Sequence, residues 1–372
     1  MRSLARVVRD GLVMLVAAAL LLGAAEAGTR VVLRLATGRW PQTLAAAYDA
    51  AHRATATLYH HHPFLIAAPR PGARDPRFGR IEVNSLGYRS PERPLAKPAG
   101  VARVVCAGGS TTWDVLAASN ATTWPALVES QLRADGRAVE VWNAGFPGWT
   151  TLENLIAFES RDLELQPDLV VLYQGINDLQ PASHEPVDPD YADFHAALQR
   201  ASIGLDLPPL PWWDRLVLVE RARDALLGHQ LLRIPGTPVA AGPPRRTLSP
   251  DGVRIFERNV RSLVGVARAH GVRVLLATQP LRRRGQLWDR DRDVFAFWLP
   301  DLEPDAALGE IERLNDVLRA VASDGQAALA DVARDVAWTD GDFGDPMHTT
   351  EGGTRKLATF LAGPIARELA HE

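Results

Sequence analysis

Val101-Ala102-Arg103-Val104-Val105-Cys106-Ala107-Gly108-Gly109-Ser110-Thr111-Thr112 is the stretch on which the fold turns. Val101 to Cys106 reads as a buried strand, and the two glycines after it allow a tight turn into a hydroxyl-rich segment. Downstream, strands and helices alternate. Thr123 caps a helix that starts at Trp124-Pro125 and runs toward Leu132, with Gly136 beyond its end. Val139 to Trp142 is the second strand, Leu155 to Leu165 a helix stopped by Pro167, and Leu169 to Tyr173 the third strand. Ser249-Pro250 opens a helix with Phe256, Val260, Leu263, Val264 and Ala267 at helical spacing, closed by Gly271. Val272 to Ala277 is a fourth strand and Ala327 to Val332 a weaker fifth. Strands separated by helices pair in parallel and need both faces covered. The expected class is α/β, a three-layer sandwich around a mainly parallel five-stranded sheet.

Composition narrows the function. The 372 residues are 47% hydrophobic and 23% charged, as in a folded globular chain, and the formal net charge of −3 gives no reason to expect a nucleic-acid partner. Lys97 and Lys356 are the only lysines. Cys106 is the only cysteine, which excludes an intramolecular disulfide and any zinc site built on two thiolates.

The first 40 residues read as a targeting segment. Arg2, Arg6 and Arg9 precede an uncharged run from Gly11 to Ala25. Ala25-Glu26-Ala27 before Gly28 has the small-x-small form of a signal-peptidase site. Val31, Val32, Leu33 and Leu35 continue the apolar character past it and favour an uncleaved membrane anchor. Either reading puts the remainder outside the cytoplasm, in the cell envelope.

Residues 41–100, crowded with proline from Pro63 to Pro98, are expected to connect this segment to the domain at 101–372 and to wrap onto it. His60, His61 and His62 are adjacent, and neighbours on an extended chain point alternately, so they do not form a metal site. Insertions at 180–248, with ten prolines, and at 281–305 interrupt the alternation. They are expected to cover the carboxyl ends of the strands as lids, where open α/β sheets bind ligands.

Strand-end loops carry the candidate chemistry. They are Gly108 to Thr112, Asn143-Ala144-Gly145-Phe146-Pro147-Gly148 and Gln174-Gly175-Ile176-Asn177-Asp178, with Asp345-Pro346-Met347-His348 ahead of a last helix near Thr350. Together they supply what acyl transfer through a serine ester requires. Ser110 is the nucleophile at the start of a helix, His348 the general acid and base, and Asp345 the residue that orients its ring. The Ser110 and Gly148 backbone N–H groups and the Asn177 amide are the expected oxyanion donors, with Gly145 competing with Gly148. Trp113 and Trp149 lie beside these loops and are candidates for stacking on a substrate, core packing being the alternative. Thr112 stands where a Gly-x-Ser-x-Gly elbow needs glycine, and no P-loop or dinucleotide fingerprint follows the first strand. A metallo-phosphoesterase using Asp345, His348 and Asp178 would need more histidines in these loops.

The ordered set Gly108-Gly109-Ser110-Thr111, Gly148, Gly175-Ile176-Asn177-Asp178 and Asp345-Pro346-Met347-His348 resembles the SGNH, or GDSL-type, hydrolases. Asn84-Ser85-Leu86-Gly87-Tyr88-Arg89 is similar to the lead-in of membrane-associated bacterial members. The resemblance implies a flavodoxin-like sheet and hydrolysis of small-molecule or glycan esters, with no cofactor and no metal. It departs from the pattern at Gly109, where the family's name has Asp, and at Thr111, where it has Leu. Two other readings remain: an O-acyltransferase on envelope polysaccharide, and a non-catalytic glycan-binding or assembly protein that retains the fold.

Overall fold

A computed structural model of the chain describes residues 4–41, 43, 57–75, 80–192, 194–205, 211–227, 242–282 and 287–370. Parts of the connecting segment 41–100 and of both insertions lie outside the described residues. The chain divides into two compact units, residues 1–53 with 207–236, and residues 54–206 with 237–372. Its helices include α1 (Leu4–Thr37), α2 (Ser110–Trp113), α3 (Trp124–Ala134), α4 (Thr151–Ser160), α5 (Phe194–Ser202), α6 (Val217–Leu227), α7 (Pro250–Ala269), α8 (Asp289–Trp298), α9 (Ala306–Val321) and α10 (Glu351–Ala370).

The larger unit is built on strands β1 (Ala102–Gly108), β2 (Val139–Asn143), β3 (Leu169–Tyr173), β4 (Arg273–Ala277) and β5 (Ala328–Ala330). They form one sheet in the order β2-β1-β3-β4-β5, and every pairing is parallel. This is the flavodoxin-like order, whose direction of winding reverses between β1 and β3. The loops leaving those two strands carry Ser110 and Asn177, so the topology brings them to one edge.

Period-two alternation along each strand feeds two cores. Val105, Ala107, Val170, Leu172, Val274 and Leu276 face one way, against Phe158 of α4, Phe256, Val260 and Leu263 of α7, and Leu314 and Leu318 of α9. Val104, Cys106, Leu169, Val171 and Leu275 face the other way, against Trp124, Val128 and Leu132 of α3 and Leu357, Leu361 and Ile365 of α10. Cys106 is a buried free thiol in that second core. Both faces are thus covered, which is why the strands read as near-continuous apolar runs.

Arg103 breaks the run inside β1 and is fully buried. Its guanidinium donates to Glu140 at 2.7 Å and to the carbonyls of Pro94, Leu95, Ala96 and Leu165, holding the connecting segment against the amino ends of the strands. Helix α4 begins at Thr151, earlier than the apolar spacing from Leu155 indicates. Thr150 is its N-cap and Glu153 closes a capping box, so a polar first turn precedes the apolar one. The chain then leaves the α-helix at Ser160, and Asp162–Leu165 is a separate 3-10 turn.

The smaller unit holds α1 and α6, which pack together. Within α1, Arg6–Thr37 is long and apolar enough to cross a membrane, with a mean hydropathy of 2.0. The insertion at 180–248 is therefore not one lid. Helix α5 belongs to the sheet-bearing unit, whereas 207–236 belongs with α1 because α6 packs there.

Candidate active site

Ser110 follows β1 after a turn in which a side chain at 108 would collide with the Thr112 hydroxyl and the Tyr173 carbonyl, so glycine is required there. The Ser110 Oγ lies 2.7 Å from His348 Nε2, and His348 Nδ1 lies 2.6 Å from Asp345 Oδ2. Asp345 Oδ1 also accepts the backbone N–H groups of His348 at 2.8 Å and Met347 at 3.0 Å, which folds the Asp-x-x-His loop around its own carboxylate. Burial opposes ionisation of Asp345, but hydrogen bonding to His348, the charge of that ring and the two backbone donors outweigh it and hold the carboxyl below its usual range. When the ring is neutral, a negative Asp345 favours the Nδ1–H tautomer of His348, and Nε2 is then the acceptor facing the Ser110 hydroxyl. Ser110 retains 9% of its surface.

The helix that Ser110 opens is a single turn. Helix α2 ends at Trp113 because Asp114 turns left-handed, at φ 64°. A single turn aligns few peptide dipoles, so local N–H groups matter here more than a helix dipole. Arg89, almost fully buried, holds this turn from behind by donating to the carbonyls of Trp113 at 2.7 Å and Asp114 at 2.8 Å. That gives the lead-in Asn84 to Arg89 a physical task.

Of the candidate oxyanion donors, the Asn177 amide lies against the Ser110 turn. Asn177 Nδ2 donates to the Trp149 carbonyl at 2.7 Å and sits where a side chain at Gly109 would project, which brings the amide against the Ser110 turn. Among the described residues neither the Ser110 N–H nor the Gly148 N–H donates to a protein acceptor. The Gly145 N–H, by contrast, is spent on Asn143 Oδ1 at 3.1 Å. Gly148 has φ +87°, and a side chain there would meet Gln199 and Ile66.

Sequence reasoning missed two supports of this site. His195 and Gln199 on α5 are buried, and His195 bridges the Gly148 carbonyl at 3.1 Å and Gln180 Oε1 at 2.8 Å. They hold the Gly148 loop, and nothing in their spacing signals it. Arg282, 3% exposed, hydrogen-bonds Asp291 of α8 at 3.1 Å and the Phe343 carbonyl at 3.3 Å, while its backbone N–H donates to Pro346. The 281–305 insertion thereby clamps the loop that carries Asp345 and His348.

The two tryptophans do not offer a stacking face. Trp113 and Trp149 are both fully buried with Phe146, and Trp149 Nε1 donates to the Ala67 carbonyl at 2.9 Å. They join the strand-end loops to the connecting segment. Trp149→Ala is expected to cost about 3–5 kcal/mol of stability, read as a lowered denaturation midpoint. A raised KM at unchanged stability would instead restore a substrate contact.

Asp178 turns away from Ser110. It accepts the Thr151 N–H at 3.1 Å and the Thr151 hydroxyl at 2.5 Å, tying the loop after β3 to the start of α4. Burial pushes its carboxyl up to about 8, against those donors. Because the folded value lies above the unfolded one, the native state binds more protons in between, and this group's contribution to stability falls as pH rises from about 4 to about 8. Asp178→Asn is expected to remove that downward slope in a series of urea midpoints. A slope unchanged in the variant would assign the effect elsewhere.

The profile of the GDSL-like Lipase/Acylhydrolase family matches residues 106–356, and the chain belongs to that family. It is accordingly a hydrolase acting on ester bonds. Among solved structures, a lipase/acylhydrolase from Enterococcus faecalis is 19% identical, with 71% of this chain and 95% of that one covered at a TM-score of 0.42. An acylhydrolase from Bacteroides fragilis is 18% identical over 72% of this chain and 88% of that one, at a TM-score of 0.40. None of the curated proteins matches.

Proposed function

We propose that this protein is an envelope serine esterase, tethered through its N-terminal helix, that acts on small-molecule or glycan esters with Ser110 as nucleophile. His348 Nε2 takes the Ser110 proton as Oγ bonds to the ester carbonyl carbon. The carbonyl electron pair moves to oxygen, and the Ser110 and Gly148 N–H groups and the Asn177 amide meet the resulting oxyanion. Collapse expels the alcohol, which receives the proton from His348. Water then repeats the cycle on the acyl-serine, with His348 again as base, releasing the acid and free Ser110. Asp345 keeps the imidazolium oriented and stabilised throughout.

The observation that carries this reading is the unbroken chain Ser110 Oγ to His348 Nε2, and His348 Nδ1 to Asp345 Oδ2, at 2.7 and 2.6 Å. Fluorophosphonate treatment followed by peptide mass mapping tests it. The adduct is expected on Ser110 and to depend on His348. Labelling of another residue, or none at all, overturns the assignment. In the same assay system, acceptor sugars that divert the acyl group from water would turn the reading from hydrolase to transferase.

A further inference from the structure

The N-terminal helix makes contacts that a cleaved signal peptide would not make. Glu26, at the middle of Ala25-Glu26-Ala27, is 8% exposed, and its oxygens accept the N–H groups of Val217 at 2.9 Å and Leu218 at 2.8 Å. Those are the first two residues of α6, so the carboxylate caps a helix that lies far away in sequence. Arg30 pairs with Glu26 at 2.6 Å and donates to the Arg215 carbonyl at 3.2 Å, completing the joint. Glu26, Thr29, Arg30 and Leu33 are the shielded positions in this part of α1, and they recur at helical spacing. One face of α1 is therefore shaped to receive 215–218. Cleavage after Ala27 would remove the cap and cut the helix that presents it.

Position along the helix says where this joint lies. The uncharged run Gly11 to Ala25 rises about 22 Å, and residues on its amino side reach a full hydrocarbon thickness of about 30 Å if Arg6 and Arg9 extend toward headgroups. Glu26 then falls at the opposite lipid–water boundary, where a paired carboxylate is tolerated. The segment joined to it carries Trp212 and Trp213, 61% and 49% exposed, and Leu226, 83% exposed. Exposed tryptophans beside a spanning helix belong at that boundary, where their rings sit among headgroups.

We infer that α1 is retained as a membrane anchor and that residues 212–227 dock on it through Glu26 and lie on the bilayer surface with Trp212 and Trp213 against lipid. The inference rests on the tethered form of the proposed function, not on its catalytic assignment. Residues 212–227 are thus membrane-facing material.

The full chain, purified from membranes and reconstituted in phosphatidylcholine vesicles with brominated acyl chains, provides the test. Intact mass is expected to include residues before Gly28, and the protein is expected to stay in the membrane through an alkaline carbonate wash. Bromolipid is expected to quench part of the tryptophan emission, and Trp212→Phe with Trp213→Phe is expected to lose that part. Glu26→Ala is expected to raise tryptic cleavage at Arg215, Arg221 and Arg223 about fivefold, the scale of a lost cap. A mature chain starting at Gly28, quenching unchanged in the double variant, or equal cleavage rates would each overturn it. Aryl-ester turnover in detergent is expected to be unchanged in every variant, so a failure here is distinguishable from a failure of the serine mechanism.

Discussion

Ser110→Ala is expected to lower kcat on an activated aryl ester by about 10⁴–10⁶, the scale seen when a nucleophile is removed from a charge-coupled triad. In the proposed mechanism the Ser110 hydroxyl is the atom that bonds to carbon, and it lies 2.7 Å from His348 Nε2. His348→Ala is expected to cost a similar factor, and the double variant no more than either single one, because base and nucleophile act as a unit. Asp345→Asn tests a different link. The amide would present N–H toward Nδ1 and force the ring proton onto Nε2, facing the serine oxygen, for a loss of roughly 10⁴. Stopped assays on the full chain, with unfolding midpoints measured in parallel, check all three. Multiplying losses in the double variant, or more than a tenth of the activity left after Ser110→Ala, would show that the triad is not the reacting unit.

Much of this architecture is legible in the chain because local and global preferences agree. The runs Val101 to Cys106, Val139 to Trp142 and Leu169 to Tyr173 become β1, β2 and β3 within two residues of those bounds, since strands buried on both faces have no polar alternation to blur. The helix Pro250–Ala269 is equally clear, capped by proline at its start and with its apolar stripe in the first core. Loops that leave parallel strands must gather at one edge, so a list of strand-end residues is already a list of neighbours.

What the sequence hides is contact between segments with no shared period. Arg89, Arg103 and Arg282 are buried arginines whose meaning lies in carbonyls that the chain delivers from far away. Composition alone reads them as solvated charges. Trp113 and Trp149 mislead for the converse reason. Proximity in sequence to reactive loops says nothing about which way a ring points, and burial against Tyr59 and Phe146 takes both away from solvent. Glu26 and Val217 are 191 residues apart, and only the packing of α6 on α1 joins them.

Gly109→Ala carries the second large effect, at the position where this chain departs from the family's name. The backbone at 109 has φ −91°, which an L-residue accepts, so the obstacle is the amide of Asn177 in the space a side chain would fill. That amide cannot easily retreat. Asn177 is 2% exposed, its Nδ2 is tied to the Trp149 carbonyl, and the neighbouring Ile176 N–H and Asp178 carboxylate are held by Gln279 and Thr151. A methyl group at 109 must therefore displace the amide or the Ser110 turn. Loss of one oxyanion donor lowers kcat by about 10²–10³ with KM little changed, because the donor is engaged mainly in the transition state. Overpacking adds about 1–3 kcal/mol of destabilisation. In an Asn177→Ala background the collision is gone, so adding Gly109→Ala is expected to cost little further activity. Independent, multiplying losses in that cycle would refute the coupling. Gly109→Asp follows the same steric logic with a larger side chain: restoring the residue in the family's name is expected to impair this enzyme, because the Asn177 amide occupies the space that an aspartate would need.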